Sequence, residues 1–314
     1  MIQICSVPLP HGTTLHCRVS GAAGRPVLLF LHGFPEGAFI WDALLTHFSS
    51  PEHGGYRCVA PYLRGFGPSS SPTEVEAYRA KHLVQDLVAL IAAECPGGAL
   101  ECLVAHDWGG AVAWNLANQQ PQLMKRLAII NSPHPGAFLR ELLHSPAQQA
   151  GSQYMHFLCR PDAEALLSED DFRRLFAFFN APDGSPPPWL TDNVRTQYRA
   201  LWQQGLTGAC NYYRASPIRP PRQQHPQHDE APAAQTITLP ESMLTVSVPT
   251  LVIWGMNDPA LLPGLLDGLP DWVPQLQLRQ VEKASHWIVH EQPDLVTMEL
   301  QRFLPSKLIA PTAL

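Results

Sequence analysis

The sequence is poor in charge and lacks long apolar runs, dense basic clusters and the common cofactor motifs. Charged residues are 15% of the 314-residue chain and the formal net charge is -6, so no basic surface is available for a nucleic-acid backbone. No stretch approaches the ~18 apolar residues that span a bilayer. The patterns His-Glu-x-x-His, Gly-x-x-x-x-Gly-Lys-Ser/Thr and Gly-x-Gly-x-x-Gly are absent. We therefore expect no nucleic-acid or membrane partner, no metal ion and no organic cofactor.

Cysteine is present, but not in a pattern that indicates disulfide bonds. The seven cysteines are dispersed along the chain without a Cys-x-x-Cys pair. An odd, scattered set is typical of reduced thiols in a cytosol. The first residues carry no Lys or Arg ahead of an apolar run, so they do not resemble a secretory signal. We expect a cytoplasmic protein, and the sequence leaves open whether it forms a homo-oligomer.

Short apolar segments alternate with segments of helical spacing. Runs that are short and continuously apolar are typical of strands buried on both faces of a parallel sheet. The predicted strands are Val27–Leu31, residues 103–105, Leu127–Ile130, residues 250–254 and Leu276–Val281. Helical spacing occurs at 39–48, 80–93, 110–118 and 295–303. The alternation predicts an α/β fold with a mostly parallel central sheet flanked by helices.

A long insertion interrupts this alternation after residue 130, and the pattern resumes near residue 248. Helical patches in the insertion are broken by Ser185-Pro-Pro-Pro and by a Pro-, Gln- and His-rich stretch at 217–240. We predict a helical cap at 136–245, placed between core segments at 1–135 and 246–314. Such an insertion covers the strand ends at which α/β sheets bind ligands. His225 and His228 are interpreted as part of a polar loop, not as metal ligands.

The stretch Ala105-His-Asp-Trp-Gly-Gly110 places a carboxylate between a predicted strand and a predicted helix. An aspartate here could be a simple helix N-cap. The small residues Ala105, Gly109 and Gly110 instead favour a nucleophile elbow, a strained turn at which backbones approach closely. We therefore interpret Asp107 as a nucleophile. Because a carboxylate is already ionised at neutral pH, it attacks a saturated carbon without a base and forms an ester.

Hydrolysis of such an ester requires a base that activates water. His286 lies in a loop after the predicted strand Leu276–Val281, and Asp258 closely follows the strand at 250–254. Nucleophile, acid and histidine thus follow the chain order of a hydrolase triad. We predict that His286 is the general base and that Asp258 orients its imidazole and stabilises the imidazolium.

The segment His32-Gly-Phe-Pro-Glu36 follows the strand Val27–Leu31. Alone it indicates only a Gly-Pro turn. Opposite the elbow, however, the backbone N–H groups of Phe34 and Trp108 are expected to hold the oxyanion that forms when the ester is attacked, each contributing ~3 kcal/mol. Glu36 either positions water or is a solvated loop carboxylate.

Seven motifs spread over nearly the whole chain are more specific together than singly: His32-Gly-Phe-Pro-Glu36, Arg64-Gly-Phe-Gly-Pro-Ser69, His106-Asp-Trp-Gly-Gly110, Asn131-Ser-Pro-His-Pro135, Asn211-Tyr-Tyr-Arg214, Trp254-Gly-Met-Asn-Asp258 and Ser285-His-Trp287. In combination they resemble the epoxide hydrolases of the α/β-hydrolase superfamily, in its aspartate-nucleophile branch related to haloalkane dehalogenases. The resemblance implies an α/β-hydrolase fold with a helical cap. It also implies conversion of an epoxide to a vicinal diol through an aspartyl ester, without metal or cofactor.

In that family two cap tyrosines donate hydrogen bonds to the epoxide oxygen. Tyr213 matches one of them by its motif, and Tyr154 matches the other by its position in the first cap helix. Two phenols in a dry pocket would stabilise the alkoxide charge of the opening ring. Without the resemblance, Tyr212 or Tyr198 is an equal candidate. The expected substrates are a small apolar epoxide and water. The epoxide is expected to be apolar because four apolar cap residues are expected at the pocket: Met155, Phe157, Phe179 and Trp189.

A haloalkane or haloacid dehalogenase is the nearest alternative, because it uses the same aspartate, histidine and ester. The indole N–H of Trp108 suits a departing halide. In haloalkane dehalogenases a second side chain also binds the halide. It is usually an asparagine at the position that Phe34 occupies here, or another tryptophan. Phe34 has no side-chain donor, so Trp189 is the candidate for the second halide ligand. A fluoroacetate dehalogenase requires an arginine where Trp108 stands.

Two further alternatives are weaker. A serine esterase is disfavoured because Asp107 replaces the serine. A non-catalytic hydrolase-fold binding protein predicts a degraded triad, and the triad residues are all present.

Overall fold

The computed structural model describes residues 1–221 and 237–305. Within them, eight strands form one sheet in the order β1-β2-β4-β3-β5-β6-β7-β8. The strands are β1 (Gln3–Pro8), β2 (Thr14–Ser20), β3 (Val27–Leu31), β4 (Arg57–Pro61), β5 (Cys102–His106), β6 (Leu127–Ile130), β7 (Thr250–Gly255) and β8 (Leu276–Val281).

The sheet is mostly parallel. β1 pairs antiparallel with β2, and β2 pairs antiparallel with β4, whereas every pair from β4 to β8 is parallel. The four central strands β3, β5, β6 and β7 are buried along their whole length. This burial explains their continuously apolar sequences, since helices cover both faces of a parallel sheet.

Helices follow most of the parallel strands, and several of them lie between β6 and β7. The α-helices in the described residues are α1 (Asp42–Ser49), α2 (Ala80–Glu94), α3 (Trp108–Gln119), α4 (Pro135–His144), α5 (Pro146–Gly151), α6 (Tyr154–Leu158), α7 (Ala163–Ala177), α8 (Asp192–Trp202), α9 (Thr207–Ala215), α10 (Leu269–Trp272), α11 (Ile288–Glu291) and α12 (Pro293–Phe303). Helices α4 to α9 form the segment inserted between β6 and β7, and α7 is kinked near residues 169–172.

Local sequence signals mark where the inserted helices begin. Pro135 and Pro146 open α4 and α5, a position at which proline loses no helical hydrogen bond. Thr191 caps α8, since its side-chain oxygen accepts a hydrogen bond from the backbone N–H of Val194. Local signals therefore mark the starts of three of the six helices in this segment.

The predicted fold class is confirmed. Three of the five predicted strands have the predicted bounds, and the other two are each longer by one or two residues. The sequence reading did not identify β1, β2 and β4. His225 and His228 lie outside the described residues. Within the described part of the chain, no helix is both long and apolar enough to cross a membrane.

Candidate active site

Four loops bring the predicted catalytic residues to one edge of the sheet. They follow β3, β5, β7 and β8, which run parallel, so the carboxyl ends of these strands meet at the same edge. The loops carry Phe34, Asp107, Asp258 and His286. Residues that are far apart in sequence thus become neighbours because of the sheet topology.

Asp107 occupies a sharp turn between β5 and α3. Its φ of 50° and ψ of -124° lie in a region that residues with a side chain rarely adopt. The Ser132 hydroxyl supports the turn by donating a 2.7 Å hydrogen bond to the Asp107 backbone oxygen. Gly110 is required because a Cβ there would overlap the Ser132 side chain. The Asp107 side chain makes no capping bond to α3 within the described residues, so it is not an ordinary N-cap.

The two oxygens of the Asp107 carboxylate have different neighbours. Oδ1 accepts a 2.7 Å hydrogen bond from the backbone N–H of Phe34. Oδ2 lies 3.7 Å from Nε2 of His286. Trp108 is the first residue of α3, where a backbone N–H has no acceptor within the helix. Of the two backbone groups predicted for the oxyanion hole, that of Phe34 contacts the carboxylate directly, and that of Trp108 lies at the N-terminus of the adjoining helix.

His286 and Asp258 form a tight buried pair. Nδ1 of His286 lies 2.6 Å from Oδ2 of Asp258. The other carboxylate oxygen of Asp258 accepts hydrogen bonds from the backbone N–H groups of Ala260 and Leu261, at 2.9 and 2.8 Å. Because these bonds fix the carboxylate, it in turn fixes the ring orientation of His286 and directs Nε2 towards Asp107.

The electrostatics of this pair follow from burial and charge. Burial opposes the charged form of His286, but the negative charge and hydrogen bond of Asp258, with a smaller contribution from Asp107, raise the pKa of His286 to about 9. Burial likewise opposes ionisation of Asp258, yet the charge of His286 and several hydrogen bonds lower the pKa of Asp258. The free site therefore favours an imidazolium between two carboxylates.

Asn131 is a site residue to which the sequence analysis gave no role. Its side-chain amide donates a 2.8 Å hydrogen bond to Oδ2 of Asp258, the same oxygen that contacts His286. Its carbonyl oxygen accepts from the backbone N–H of Gly255 at 2.8 Å. Asn131 thus ties the end of β6 to the acid of the triad. The motif Asn131-Ser-Pro-His-Pro135 was the only sequence signal for it.

Tyr154 and Tyr213 meet above Asp107. Tyr154 lies in α6 and Tyr213 in α9, and their ring centroids are 6.0 Å apart at an interplanar angle of 77°. Burial raises the pKa of both phenols, and the negative charge of Asp107 raises the pKa of each further. Both hydroxyls therefore keep their protons at neutral pH and remain able to donate hydrogen bonds.

The structure separates these two tyrosines from the other candidates. Tyr212 donates a 2.9 Å hydrogen bond to the backbone oxygen of Arg64. Tyr198 donates a 2.7 Å hydrogen bond to Glu36. Both hydroxyls are thus bonded to structural partners. Tyr154 and Tyr213 line the same cavity as Asp107; Tyr212 lines it too, but its hydroxyl is bonded to Arg64.

A cavity of about 280 Å³ adjoins the nucleophile. Its wall is mainly apolar and includes Met155, one of the four cap residues expected at the pocket. Phe157, Phe179 and Trp189 are not part of this wall. Phe157 packs against the hydrophobic core, and the ring of Phe179 packs on Trp189 at 5.3 Å, so their apolar character serves the protein interior. The wall comprises Tyr78, Ala80, Leu83, Asp107, Trp108, Ala111, Val112, Asn115, Ser132, Pro133, Pro135, Phe138, Tyr154, Met155, Tyr212, Tyr213, Ala215, Ser216, Pro217, Ile218, Leu239, Met243 and Leu261.

Glu36 is fully buried beneath the triad rather than solvated. Its Oε1 accepts hydrogen bonds from Tyr198 and from Nε2 of His290, at 2.7 and 2.6 Å. Its Oε2 lies 3.2 Å from Nδ1 of His106. Burial opposes ionisation of this carboxyl, but the neighbouring histidines lower the pKa of Glu36. Glu36 therefore contributes a negative charge below the nucleophile and does not line the cavity.

No cluster of three or more His, Cys, Asp or Glu side chains in the described residues is arranged to hold a metal ion. The chemistry that the site can perform follows from its own groups. They are the Asp107 side chain at a strained turn, a histidine paired with a carboxylate, a backbone N–H that bonds Asp107 and two protonated phenols.

Fold and site together define a hydrolase of the α/β type, and comparison with known proteins agrees. Residues 26–293 match the family described as alpha/beta hydrolase fold. The chain belongs to this family. It is 32% identical over 306 residues to the AB hydrolase superfamily protein YfhM of Bacillus subtilis, covering 96% of this chain and 98% of the relative.

Its similarity extends to proteins named epoxide hydrolases. The chain is 31% identical over 300 residues to epoxide hydrolase 4 of Homo sapiens, covering 93% of this chain and 76% of the relative. A crystal structure of Bacillus megaterium epoxide hydrolase in complex with an inhibitor superposes with a TM-score of 0.83 at 28% identity, covering 95% of this chain and 99% of that chain. The resemblance inferred from the motifs, and the prediction of a hydrolase enzyme, are thus confirmed.

Proposed function

We propose that this protein is an epoxide hydrolase that converts an apolar epoxide to a vicinal diol through an aspartyl ester. The observation that carries the proposal is that Asp107 lines one mainly apolar cavity together with two protonated tyrosines, the half-buried Tyr154 and the buried Tyr213. The nucleophile and the proton donors can therefore act on the carbon and the oxygen of the same ring.

In the first step, Asp107 attacks a ring carbon and the carbon–oxygen bond of the epoxide breaks. Oδ2 is the attacking oxygen, since Oδ1 is held by the backbone N–H of Phe34. The electron pair of the broken bond remains on the epoxide oxygen, which takes a proton from Tyr213 or Tyr154. The product of this step is a hydroxyalkyl ester of Asp107.

In the second step, His286 removes a proton from water and the resulting hydroxide attacks the ester carbon of Asp107. The oxyanion forms on Oδ1, which already accepts a hydrogen bond from the N–H of Phe34, and we propose the N–H of Trp108 as the second donor. Breakage of the bond between the carboxyl carbon of Asp107 and Oδ2, which carries the alkyl group, releases the diol, whose alkoxide takes the proton from His286. Asp107 is left as the carboxylic acid, and transfer of its proton to the tyrosinate formed in the first step restores both groups. Esterification removes the negative charge of Asp107, one of the groups that raise the pKa of His286, and so lowers that pKa in the direction that favours the free base.

The inserted segment fits the role of a cap. It supplies Tyr154 from α6, Tyr213 from α9 and the apolar Met155 to the cavity, while the two core segments supply the triad. We propose the division 1–135, 136–245 and 246–314, with the helical cap as the part that excludes water from the reacting ring. Its first helix, α4, begins one residue before this boundary.

A side-by-side assay of styrene oxide, 1-bromobutane and fluoroacetate in buffer without added metal tests the function. We expect diol from the epoxide and no halide from either halogenated compound. Halide without diol would favour the dehalogenase, for which Trp108 is the available donor; Trp189 is not on the cavity wall and stacks on His290. No turnover of the three compounds would contradict the proposal and favour a non-catalytic binding protein.

Gly33→Ala tests the approach of the oxyanion loop to the nucleophile. A Cβ at Gly33 would overlap the Asp107 carboxylate, so the loop or the nucleophile must move. We expect kcat/KM for styrene oxide to fall by about 100-fold or more, because a displacement of ~1 Å can have that effect. Gly98→Ala is the matched control, since a Cβ there meets only the backbone oxygen of Cys95 at 3.9 Å. Equal activity of the two variants would argue against this role of the loop.

A further inference from the structure

The cavity extends from Asp107 along one face of α3. Asp107, Ala111 and Asn115 all line it, and residues four apart lie on one face of a helix. At ~1.5 Å per residue, eight residues of α3 correspond to a length of ~12 Å. Apart from Tyr154 and Tyr213, this part of the cavity is lined mainly by apolar side chains such as Phe138 and Met243. The cavity therefore has the length and polarity for one extended apolar substituent.

The other side of the tyrosine pair is filled by Phe34 and Phe178, which we call the aromatic wall. Neither residue lines the cavity. The ring of Phe34 lies 5.3 Å from that of Tyr213, and the ring of Phe178 lies 6.0 Å from that of Tyr154. The two phenylalanine rings meet edge to face at 5.7 Å and 89°. The aromatic wall thus occupies the space beside the reacting ring that the cavity leaves free.

The aromatic wall is anchored from behind. The indole N–H of Trp287 donates a 3.1 Å hydrogen bond to the backbone oxygen of Phe178. Trp287 also packs on Phe179 with ring centroids 4.6 Å apart. Phe34 is buried and its backbone holds Asp107. Because close-packed side chains yield only at a cost in free energy, a substrate group cannot displace the wall easily.

We propose that this site selects terminal epoxides carrying a single extended apolar substituent and discriminates against trans-disubstituted epoxides. The inference rests on the proposed epoxide hydrolase function and specifies its substrate class. A trans-disubstituted epoxide carries one substituent on each ring carbon, and the two point in opposite directions. When one substituent enters the cavity along α3, the other meets Phe178. A terminal epoxide has only hydrogen atoms at that carbon and avoids the contact.

Two isomers of equal size test the proposal. 1,2-Epoxyoctane carries one hexyl chain, and trans-4,5-epoxyoctane carries a propyl chain on each ring carbon. We would measure kcat/KM for both with the wild-type protein and with Phe178→Ala, which shortens the wall but keeps the backbone oxygen that binds Trp287. Phe138→Ala is the matched control, because it makes the same change on the side that is already open. Thermal unfolding of each variant reports on folding.

For the wild-type protein, kcat/KM is expected to be at least about 100-fold higher for the terminal isomer than for the trans isomer. This ratio is within the range of discrimination that the fit of a substrate to a pocket can produce. Phe178→Ala is expected to raise kcat/KM for the trans isomer by at least about tenfold over the wild-type value. Because this comparison uses one isomer, the different intrinsic reactivities of the two isomers do not affect it. Phe138→Ala should give no such rise. Comparable hydrolysis of both isomers by the wild-type protein, or no gain in a folded Phe178→Ala, would overturn the inference and leave the function standing. Hydrolysis of neither isomer by any of the proteins would overturn both.

Discussion

The His286→Gln variant is expected to accumulate a stable ester with its substrate and to stop within its first turnover, before the ester is hydrolysed. Asp107 retains its contacts with Phe34 and its position at the N-terminus of α3, so the first step still proceeds. Glutamine cannot take a proton from water, and the ester persists. We expect kcat to fall by at least about 1000-fold. Mass spectrometry of the intact protein should show an increase equal to one whole epoxide.

The added mass is informative because ring opening loses no atoms, whereas alkylation by a haloalkane expels halide. Asp107→Ala is the first control and should gain no mass, since the nucleophile is absent. His47→Gln is the second, since His47 bonds Gln301 far from the triad and should leave turnover unchanged. A His286→Gln variant that stays unmodified and active would contradict the ester scheme.

Removal of both phenol donors is expected to have the second largest effect. The opening ring develops alkoxide charge, which the hydroxyls of Tyr154 and Tyr213 on the cavity wall are placed to neutralise. We expect Tyr213→Phe to lower kcat/KM for the epoxide more than tenfold and the Tyr154→Phe/Tyr213→Phe double variant to lower it by about 10² to 10⁴-fold. The loss should fall on the rate of ester formation, measured in a single turnover, and not on the rate of ester hydrolysis.

Tyr212→Phe is the matched control for this experiment. Tyr212 is adjacent to Tyr213 and also contacts the cavity, but its hydroxyl is bonded to the backbone oxygen of Arg64. We expect this variant to lose some stability and little epoxide turnover. If Tyr212→Phe slowed ester formation as much as Tyr213→Phe, the assignment of the donor pair would be wrong.

The sequence predicted the centre of the fold better than its edge. β3, β6 and β8 have the predicted bounds because they are delimited by turn residues, and the central strands are continuously apolar. β1 and β2 were missed because they are not continuously apolar: at the antiparallel edge of the sheet, β1 has exposed and half-buried residues, and β2 alternates between half-buried and buried residues. β4 is a short strand that begins with a half-buried arginine and ends with a proline. Its position between β2 and β3 depends on long-range pairing that no local pattern encodes.

The candidate site likewise has one part that local sequence features predicted and one part that they did not. The elbow around Asp107 and the chain order of Asp258 and His286 are local features, because glycines, turns and strand ends can be recognised within a few residues. The choice of Tyr154 over Tyr198 depended on the resemblance to a family, since a tyrosine in a helix carries no sign of what its hydroxyl will contact. The structure separates them because Tyr198 bonds Glu36 and Tyr154 lines the cavity.

By itself, then, the sequence determined the α/β architecture, the nucleophile turn and the order of the catalytic groups. Only the tertiary structure decided that Asn131 supports Asp258, that Glu36 is buried beneath the nucleophile, and that Phe179 and Trp189 belong to the interior rather than the pocket. The physical reason is that backbone conformation depends largely on neighbouring residues in the chain. Burial, charge and the shape of a cavity depend on side chains that folding brings together from distant segments.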